Sequence, residues 1–183
     1  MRFVRFVSIR SMKTTPVFLS LCCLLVLSSC GLFQPISSPS DGRTSRGSDR
    51  NSPTSYIRTD IITHAQELLG TRYKYGGNTP REGFDCSGFT RYLYQNAGLN
   101  LSRVSRDQAD EGRKIRPEDA RPVDLVFYKR PGGKVFHVSV IVQASANEIW
   151  VIHSTSSRGV IRENILASSY WKPKIYQVRD VLN

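Results

Sequence analysis

The run Gly83-Phe84-Asp85-Cys86-Ser87-Gly88-Phe89, residues 83–89, reads as the entry into a helix. Asp is a residue type that caps helix N-termini by accepting from first-turn N–H groups, so Asp85 fits the cap. Phe89, Leu93 and Ala97 then fall on one face before Gly98 offers a stop, and the spacing predicts a helix with Cys86 at its first position. Upstream, Ile57, Ile61, Ala65, Leu68 and Leu69 recur near helical spacing and end at Gly70. A loop rich in Gly, Pro and Asn covers residues 70–84. Downstream, Ser105 followed by Gln108 has the form of a capping box for a short third helix ending near Gly112. After Pro117 the pattern turns to strands over 123–128, 135–142, 148–153, a short stretch near Val160, and 174–181. Helices first and an antiparallel meander after them is the segregated α+β class.

The apolar leader says where the chain works. Arg2, Arg5, Arg10 and Lys13 precede an apolar stretch at 17–27, the layout of a signal peptide over residues 1–29. Eleven residues rise only about 16 Å as a helix, against roughly 30 Å of bilayer hydrocarbon, so this stretch targets the chain and does not span a membrane. It ends in Leu27-Ser28-Ser29-Cys30, which resembles the lipobox of bacterial lipoproteins and implies that Cys30 is acylated and becomes the first mature residue. Gly31 and Leu32 stand where an inner-membrane retention signal would place Asp, so the resemblance implies an outer-membrane lipoprotein on the inner leaflet, facing the periplasm. Residues 30–55 are rich in Ser, Gly and Pro and read as the lipidated N-terminus and a flexible linker. Residues 56–183 are left as one domain, large enough for a core of its own.

Of the 26 basic residues four fall in the leader, and none of the 15 acidic ones does, which leaves the mature chain at +7. The basic residues are scattered, and an exported chain seldom meets nucleic acid, so no nucleic-acid partner is expected; an anionic substrate or plain solubility accounts for the surplus. Cys22 and Cys23 lie in the leader and Cys30 at its end, so Cys86 is the one cysteine of the predicted domain. In an oxidising compartment a lone structural thiol is a liability, and Cys86 is a candidate nucleophile. A helix N-terminus lowers a thiol pKa, and an imidazolium beside it lowers it further.

Two histidines follow on strand-like segments. His137, Ser139 and Ile141 share one face of 135–142, and Ile149, Val151 and His153 share one face of 148–153. A hairpin with a three-residue loop at Ala144 to Ala146 would set His137 directly opposite His153, with Cβ atoms about 4.5–5.5 Å apart, so that one acts as base while the other orients it. A one-residue slip would separate their faces. A small buried Cys and two core histidines remain the alternative on these facts alone. His64, on the exposed side of the first helix, carries no expected role.

Taken together, Leu69-Gly70-Thr71-Arg72-Tyr73-Lys74-Tyr75-Gly76-Gly77, the 83–89 run, Leu101 to Ser105 with Gln108, Asp124 to Tyr128, His137-Val138 and Ile152-His153-Ser154 resemble, in order and spacing, the NlpC/P60 cysteine peptidases. Ser154 to Val160 and Tyr170-Trp171 look like the branch of small murein endopeptidase lipoproteins of Gram-negative bacteria. The resemblance covers residues 57–183. It implies a papain-like α+β fold, N-terminal helices packed on an antiparallel sheet, and hydrolysis of peptide bonds in peptidoglycan stem peptides. It assigns Cys86 as nucleophile, His137 as base, His153 as third member and Tyr73 near the oxyanion, with Tyr75 as an alternative for that role. It points to Asp85 and Ser87, and beyond them Arg103 and Ser105, as substrate-binding residues, Asp85 as a partner for a substrate ammonium. No metal and no cofactor is implied, and oligomeric state is left open. The chain departs from the family pattern at Arg121-Pro122-Val123-Asp124, where Gly usually precedes the Asp. Related papain-like folds act as amidases or acyltransferases, and a non-catalytic wall-binding lipoprotein is a further alternative. The lipobox reading is tested by Cys30→Ala, which is expected to abolish acylation; radiolabelled palmitate entering the variant as it enters the wild type would overturn it.

Overall fold

A computed structural model describes residues 53–182. The leader, Cys30 and most of the tether lie outside the described residues. Helix α1 (Pro53–Glu67) leads into a two-stranded ribbon of β1 (Asn78–Thr79) and β2 (Gly83–Phe84), followed by α2 (Cys86–Asn96) and α3 (Ser105–Gln108). Six strands then form one antiparallel sheet: β3 (Arg113–Ile115), β4 (Leu125–Lys129), β5 (Val135–Ala144), β6 (Ile149–Thr155), β7 (Gly159–Asn164) and β8 (Ile175–Asp180). No described helix is long and apolar enough to cross a membrane.

The expected α+β arrangement is present, and its connectivity is richer than a meander. Strands β4 to β7 do follow one another, but β8 returns to the free edge of β4 and β3 pairs with β8, giving the order β3-β8-β4-β5-β6-β7. Three-residue Arg113–Ile115 is too short to display alternation, which is why the sequence does not announce it. Alternate strand residues serve two cores. Leu125, Phe127, Val138, Val140 and Ile152 pack with Ile61, Phe84, Phe89 and Leu93 under the helices. Val126, Tyr128, Ile141, Val151 and Val178 face the other way, against Ile165 and Trp171. Each such fully buried side chain contributes roughly 1.5–3 kcal/mol, and together they hold the nucleophile's helix against the sheet.

Helix α1 begins at Pro53, inside the stretch that reads as linker, and its buried face carries Ile61 and Ala65. Leu69, expected on that face, is 43 % exposed because the helix has already ended and Gly70 turns with φ +83°. The capping-box expectation at Ser105 is corrected too. Val104 occupies the cap position with no side-chain cap, and Gln108 turns inward. Its Nε2 donates to Ser87 O (3.1 Å) and Ser102 O (2.7 Å), and its Oε1 accepts from Thr90 Oγ1 (2.9 Å). Burial of the Gln amide on α2 satisfies more polar groups than a surface cap would.

Val123 accounts for the departure at 121–124. It takes φ +79°, the only positive φ at a non-glycine among the described residues, where Gly would sit without strain. The turn survives because its backbone is gripped from both sides: Val123 N donates to Ile141 O (2.6 Å) and the Tyr94 hydroxyl donates to Val123 O. Left-handed backbone at a β-branched residue costs about 1–2 kcal/mol. Val123→Gly is therefore expected to destabilise the protein by about 1–2 kcal/mol less than Val140→Gly, a change at an equally buried site in mid-strand. Urea unfolding of the two variants checks this, and an equal loss in both would show that Val123 carries no strain.

Candidate active site

Asp85 does what the sequence leads one to expect of it, and more. Its backbone is extended (φ −87°, ψ 177°) and its Oδ1 accepts from Gly88 N at 2.7 Å, which starts α2 with Cys86 in its first turn. Oδ1 also accepts from Ser87 Oγ (3.3 Å) and Arg103 Nη1 (3.0 Å), while Oδ2 accepts from Gly76 N (2.9 Å) and Arg103 Nη2 (2.8 Å). With five donors on two oxygens and 9 % of its surface exposed, Asp85 is committed to the protein. A substrate ammonium, the partner expected for Asp85, would meet a carboxylate whose two oxygens Arg103 already pairs. Gly88 is required for a separate reason. A Cβ there would stand 2.1 Å from Gly77 O, so the 76–77 loop lies directly on the first turn of α2.

Backbone N–H groups of Val138, the chain neighbour of His137, and of Ser87 and Cys86 itself act to lower the Cys86 thiol. Burial nevertheless pushes the thiol up to about 11, with those N–H groups pulling it back and the Asp85 carboxylate adding to the rise. Burial likewise lowers His137 well below its ordinary value, and the neighbouring His153 lowers it further. Both shifts favour the neutral pair, thiol with imidazole, and burial is the first cause of each.

The two histidines meet, though not in the expected register. Val140 pairs with Ile152 and Ile141 with Val151, and a bulge precedes the pairing of Ala144 with Ile149. Carried on, this register sets His153 across from Ser139, two residues from the position opposite His137. A shift of two keeps the faces, and a diagonal pair remains within reach of ring side chains. His137 Nε2 and His153 Nδ1 are 2.9 Å apart. Since Nε2 of His137 is occupied, Nδ1 is the nitrogen left for the thiol. Trp171 stacks on His137, ring centroids 4.5 Å apart at 23°, and fixes the plane of the ring.

Glu163 completes the row and was not legible as a site residue. His153 Nε2 lies 2.7 Å from Glu163 Oε1, and that oxygen also accepts from Trp171 Nε1 at 2.9 Å. The hydrogen bond from His153 is the main reason its carboxyl lies below the ordinary range. The available signal was alternation: β7 pairs Ile161 with His153 and Glu163 with Val151, so extending the short strand near Val160 puts Glu163 on the histidine face.

Two cavities of about 470 Å³ each open on Cys86. Both include Tyr73, Cys86 and Phe136. One continues past His137 to Arg130, Ser156, Arg158 and Tyr170. The other runs along Tyr75, Asp85, Ser87, Arg103 and Ser105. Tyr73 thus borders both, and Tyr75, 87 % exposed, borders one. A chain laid through the two lobes would pass over the sulfur, the geometry a peptide bond needs for attack.

A thiol at a helix start, an imidazole with its far nitrogen anchored, and a cleft open on both sides define a thiol hydrolase site. The NlpC/P60 family profile matches residues 70–180, and the chain belongs to that family. It is 37 % identical over 118 residues to the probable endopeptidase NlpC of Escherichia coli (strain K12), covering 63 % of this chain and 73 % of that protein. Over 128 residues it is 30 % identical to the Escherichia coli (strain K12) murein DD-endopeptidase MepS/murein LD-carboxypeptidase, covering 69 % and 64 %. It is 41 % identical over 114 residues to the gamma-DL-glutamyl hydrolase of Bacillus subtilis (strain 168); 61 % of this chain is covered, and the match spans only 27 % of that longer protein. Among solved structures, the NlpC/p60 domain of peptidoglycan hydrolase SagA superposes with a TM-score of 0.56 at 30 % identity, covering 67 % of this chain and 97 % of that one.

The neutral pair has a direct test. In Cys30→Ala protein freed of its leader, Cys86 is the one thiol, and its alkylation by iodoacetamide is expected to be slow at pH 7 and to climb without a plateau to about pH 10, towards the titration near 11. A plateau reached by pH 8 would reveal a thiolate–imidazolium pair instead.

Proposed function

We propose that the protein is a lipid-tethered thiol endopeptidase that hydrolyses peptide bonds of peptidoglycan, with the cross-link bond from D-alanine to diaminopimelate as its preferred target. The single observation that supports it most is the position of Cys86 at the junction of two lobes, beside the anchored His137.

The substrate carbonyl settles over the start of α2. As Cys86 Sγ attacks the carbonyl carbon, His137 Nδ1 takes the thiol proton, so no free thiolate has to persist in the dry site. Negative charge grows on the carbonyl oxygen, where the Cys86 and Ser87 N–H groups and the Tyr73 hydroxyl are the donors at hand; Gly88 N is occupied by Asp85 and Phe89 N by the Asp85 carbonyl. When the intermediate collapses, the C–N bond breaks and His137 returns the proton to the departing amine. A thioester remains on Cys86. Water then attacks it, His137 takes a proton from that water, and the thiol is regenerated as the carboxylate product leaves.

Charge supports a wall peptide as substrate. Stem peptides are short and rich in carboxylates, and the lobe past His137 offers the Arg130 guanidinium, whereas Arg103 in the other lobe is already paired with Asp85. The name of the MepS relative includes a DD-endopeptidase activity, in line with the cross-link. The name of the Bacillus relative favours a second reading, the γ-D-glutamyl bond within a stem. Acylation at Cys30 on the inner leaflet of the outer membrane would tether the enzyme beside the wall through residues 31–52.

Incubation of a purified cross-linked muropeptide dimer with the enzyme tests the reading. Two monomers with intact tripeptide and tetrapeptide stems are expected, with no turnover by Cys86→Ala. Disaccharide dipeptides ending in D-glutamate would replace the cross-link with the γ-D-glutamyl bond. A dimer left intact would remove the peptidase reading.

A further inference from the structure

The bond between the two catalytic-face histidines is ambiguous in itself. A neutral imidazole has one N–H and one lone pair, so a contact of 2.9 Å between His137 Nε2 and His153 Nδ1 is satisfied with the proton on either ring. Only one of the two arrangements serves catalysis. If His153 donates, His137 must carry its own proton on Nδ1, and the nitrogen left for Cys86 has no lone pair with which to take the thiol proton.

Glu163 removes the ambiguity. Its Oε1 takes Trp171 Nε1 at 2.9 Å and Arg158 Nη2 at 3.2 Å, donors that cannot accept, and His153 Nε2 sits on the same oxygen at 2.7 Å. A carboxylate already held by two obligate donors has no proton to offer, so His153 Nε2 carries the hydrogen. His153 Nδ1 is then a lone pair, His137 Nε2 must donate to it, and His137 Nδ1 is left basic on the side of the thiol. The order runs from the carboxylate through two rings to the reacting atom. Trp171 reinforces it from outside the plane, since the indole that donates to Glu163 also stacks on His137.

We propose that Glu163 is a positioning residue for the reaction, selecting through His153 the tautomer of His137 that can accept the Cys86 proton. The proposal rests on the thiol-hydrolase reading of the site and adds to it a residue two rings away from the sulfur. The groups that face the row are Arg158 from the β6–β7 turn, paired with Glu163, and Tyr128 from β4, whose hydroxyl is engaged with Ser139 Oγ at 2.7 Å. Neither offers His153 an alternative acceptor.

Glu163→Leu is the informative change, with Glu163→Gln as its control. All three donors converge on Oε1, so a Gln whose amide oxygen takes that place goes on accepting from His153, Trp171 and Arg158, whereas Leu removes the acceptor and with it the reason for His153 to hold its hydrogen on Nε2. In ¹⁵N-histidine-labelled mature protein near neutral pH, two-bond ¹H–¹⁵N spectra are expected to show His137 and His153 as Nε2–H in the wild type and in Glu163→Gln, and to show Nδ1–H forms of both in Glu163→Leu. On muropeptide dimer, Glu163→Leu is expected to lower kcat by about tenfold or more with KM little changed, within the roughly 10²–10⁴-fold that a positioned general base contributes, and Glu163→Gln to retain most of the activity. In a His153→Ala background Glu163→Leu is expected to do nothing further, which a purely structural role would not predict. An Nδ1–H form of His153 in the wild type, a wild-type spectrum in Glu163→Leu, or an undiminished effect without His153 would each overturn the proposal. The spectra need no substrate, so switched tautomers in a protein that leaves the dimer intact would count against the proposed substrate and not against the role of Glu163.

Discussion

The Asp85 carboxylate is the constraint on which the site depends. Its oxygens gather the first turn of α2 with Ser87, the 76–77 loop and Arg103, three parts of the chain. A largely buried anion would be costly, but a bidentate guanidinium and two backbone N–H groups replace most of its water. What results is a rigid helix start. Gly88 lets the loop pack against it at backbone distance, and Gln108 holds the second polypeptide layer through Ser87 O and Ser102 O. Cys86 is held still because its neighbours on both sides are.

The same dryness decides how the chemistry starts. A helix N-terminus and three N–H groups would by themselves lower the Cys86 thiol, yet burial outweighs them. His137 is pushed in the opposite sense by the same cause. Proton transfer from thiol to imidazole then has to accompany attack on the carbonyl, and it does so in a low-dielectric pocket where N–H donors aimed at the developing oxyanion act at full strength. A raised thiol also leaves less thiolate for oxidants, which attack that form.

Legibility in the sequence followed the range of the interactions. Helix α2, its Asp85 cap and the placement of Cys86 are local, set within a few residues, and so are the alternating faces that align His137 with Ser139 and His153 with Val151. The histidine register was not legible, because the bulge between Ile141 and Gln143 and a longer turn at Ser145 to Glu148 depend on partners across the sheet. Gln108 followed its tertiary contacts and not its capping motif. The pairing of Arg113–Ile115 with β8 joins residues far apart in the chain and no local pattern marks it, whereas Glu163 lies ten residues from His153 and only the length of its strand hid its face. Val123 is the reverse case: the sequence showed a family glycine missing, and only the grip of Ile141 and Tyr94 on its backbone explains why the turn persists.

Interposing His153 between the base and the carboxylate has an electrostatic sense. A carboxylate bonded directly to His137 would favour its imidazolium and move the resting state towards the ion pair. Set one ring further back, the charge still orders the hydrogen bonds, while its pull on the base weakens with distance. Arg158 balances Glu163 at 3.2 Å, so the row presents little net negative charge to the cleft. A carboxylate-rich peptide would be repelled by an unbalanced anion there. Ordering the tautomer from a neutralised carboxylate behind a second imidazole supplies orientation without that repulsion.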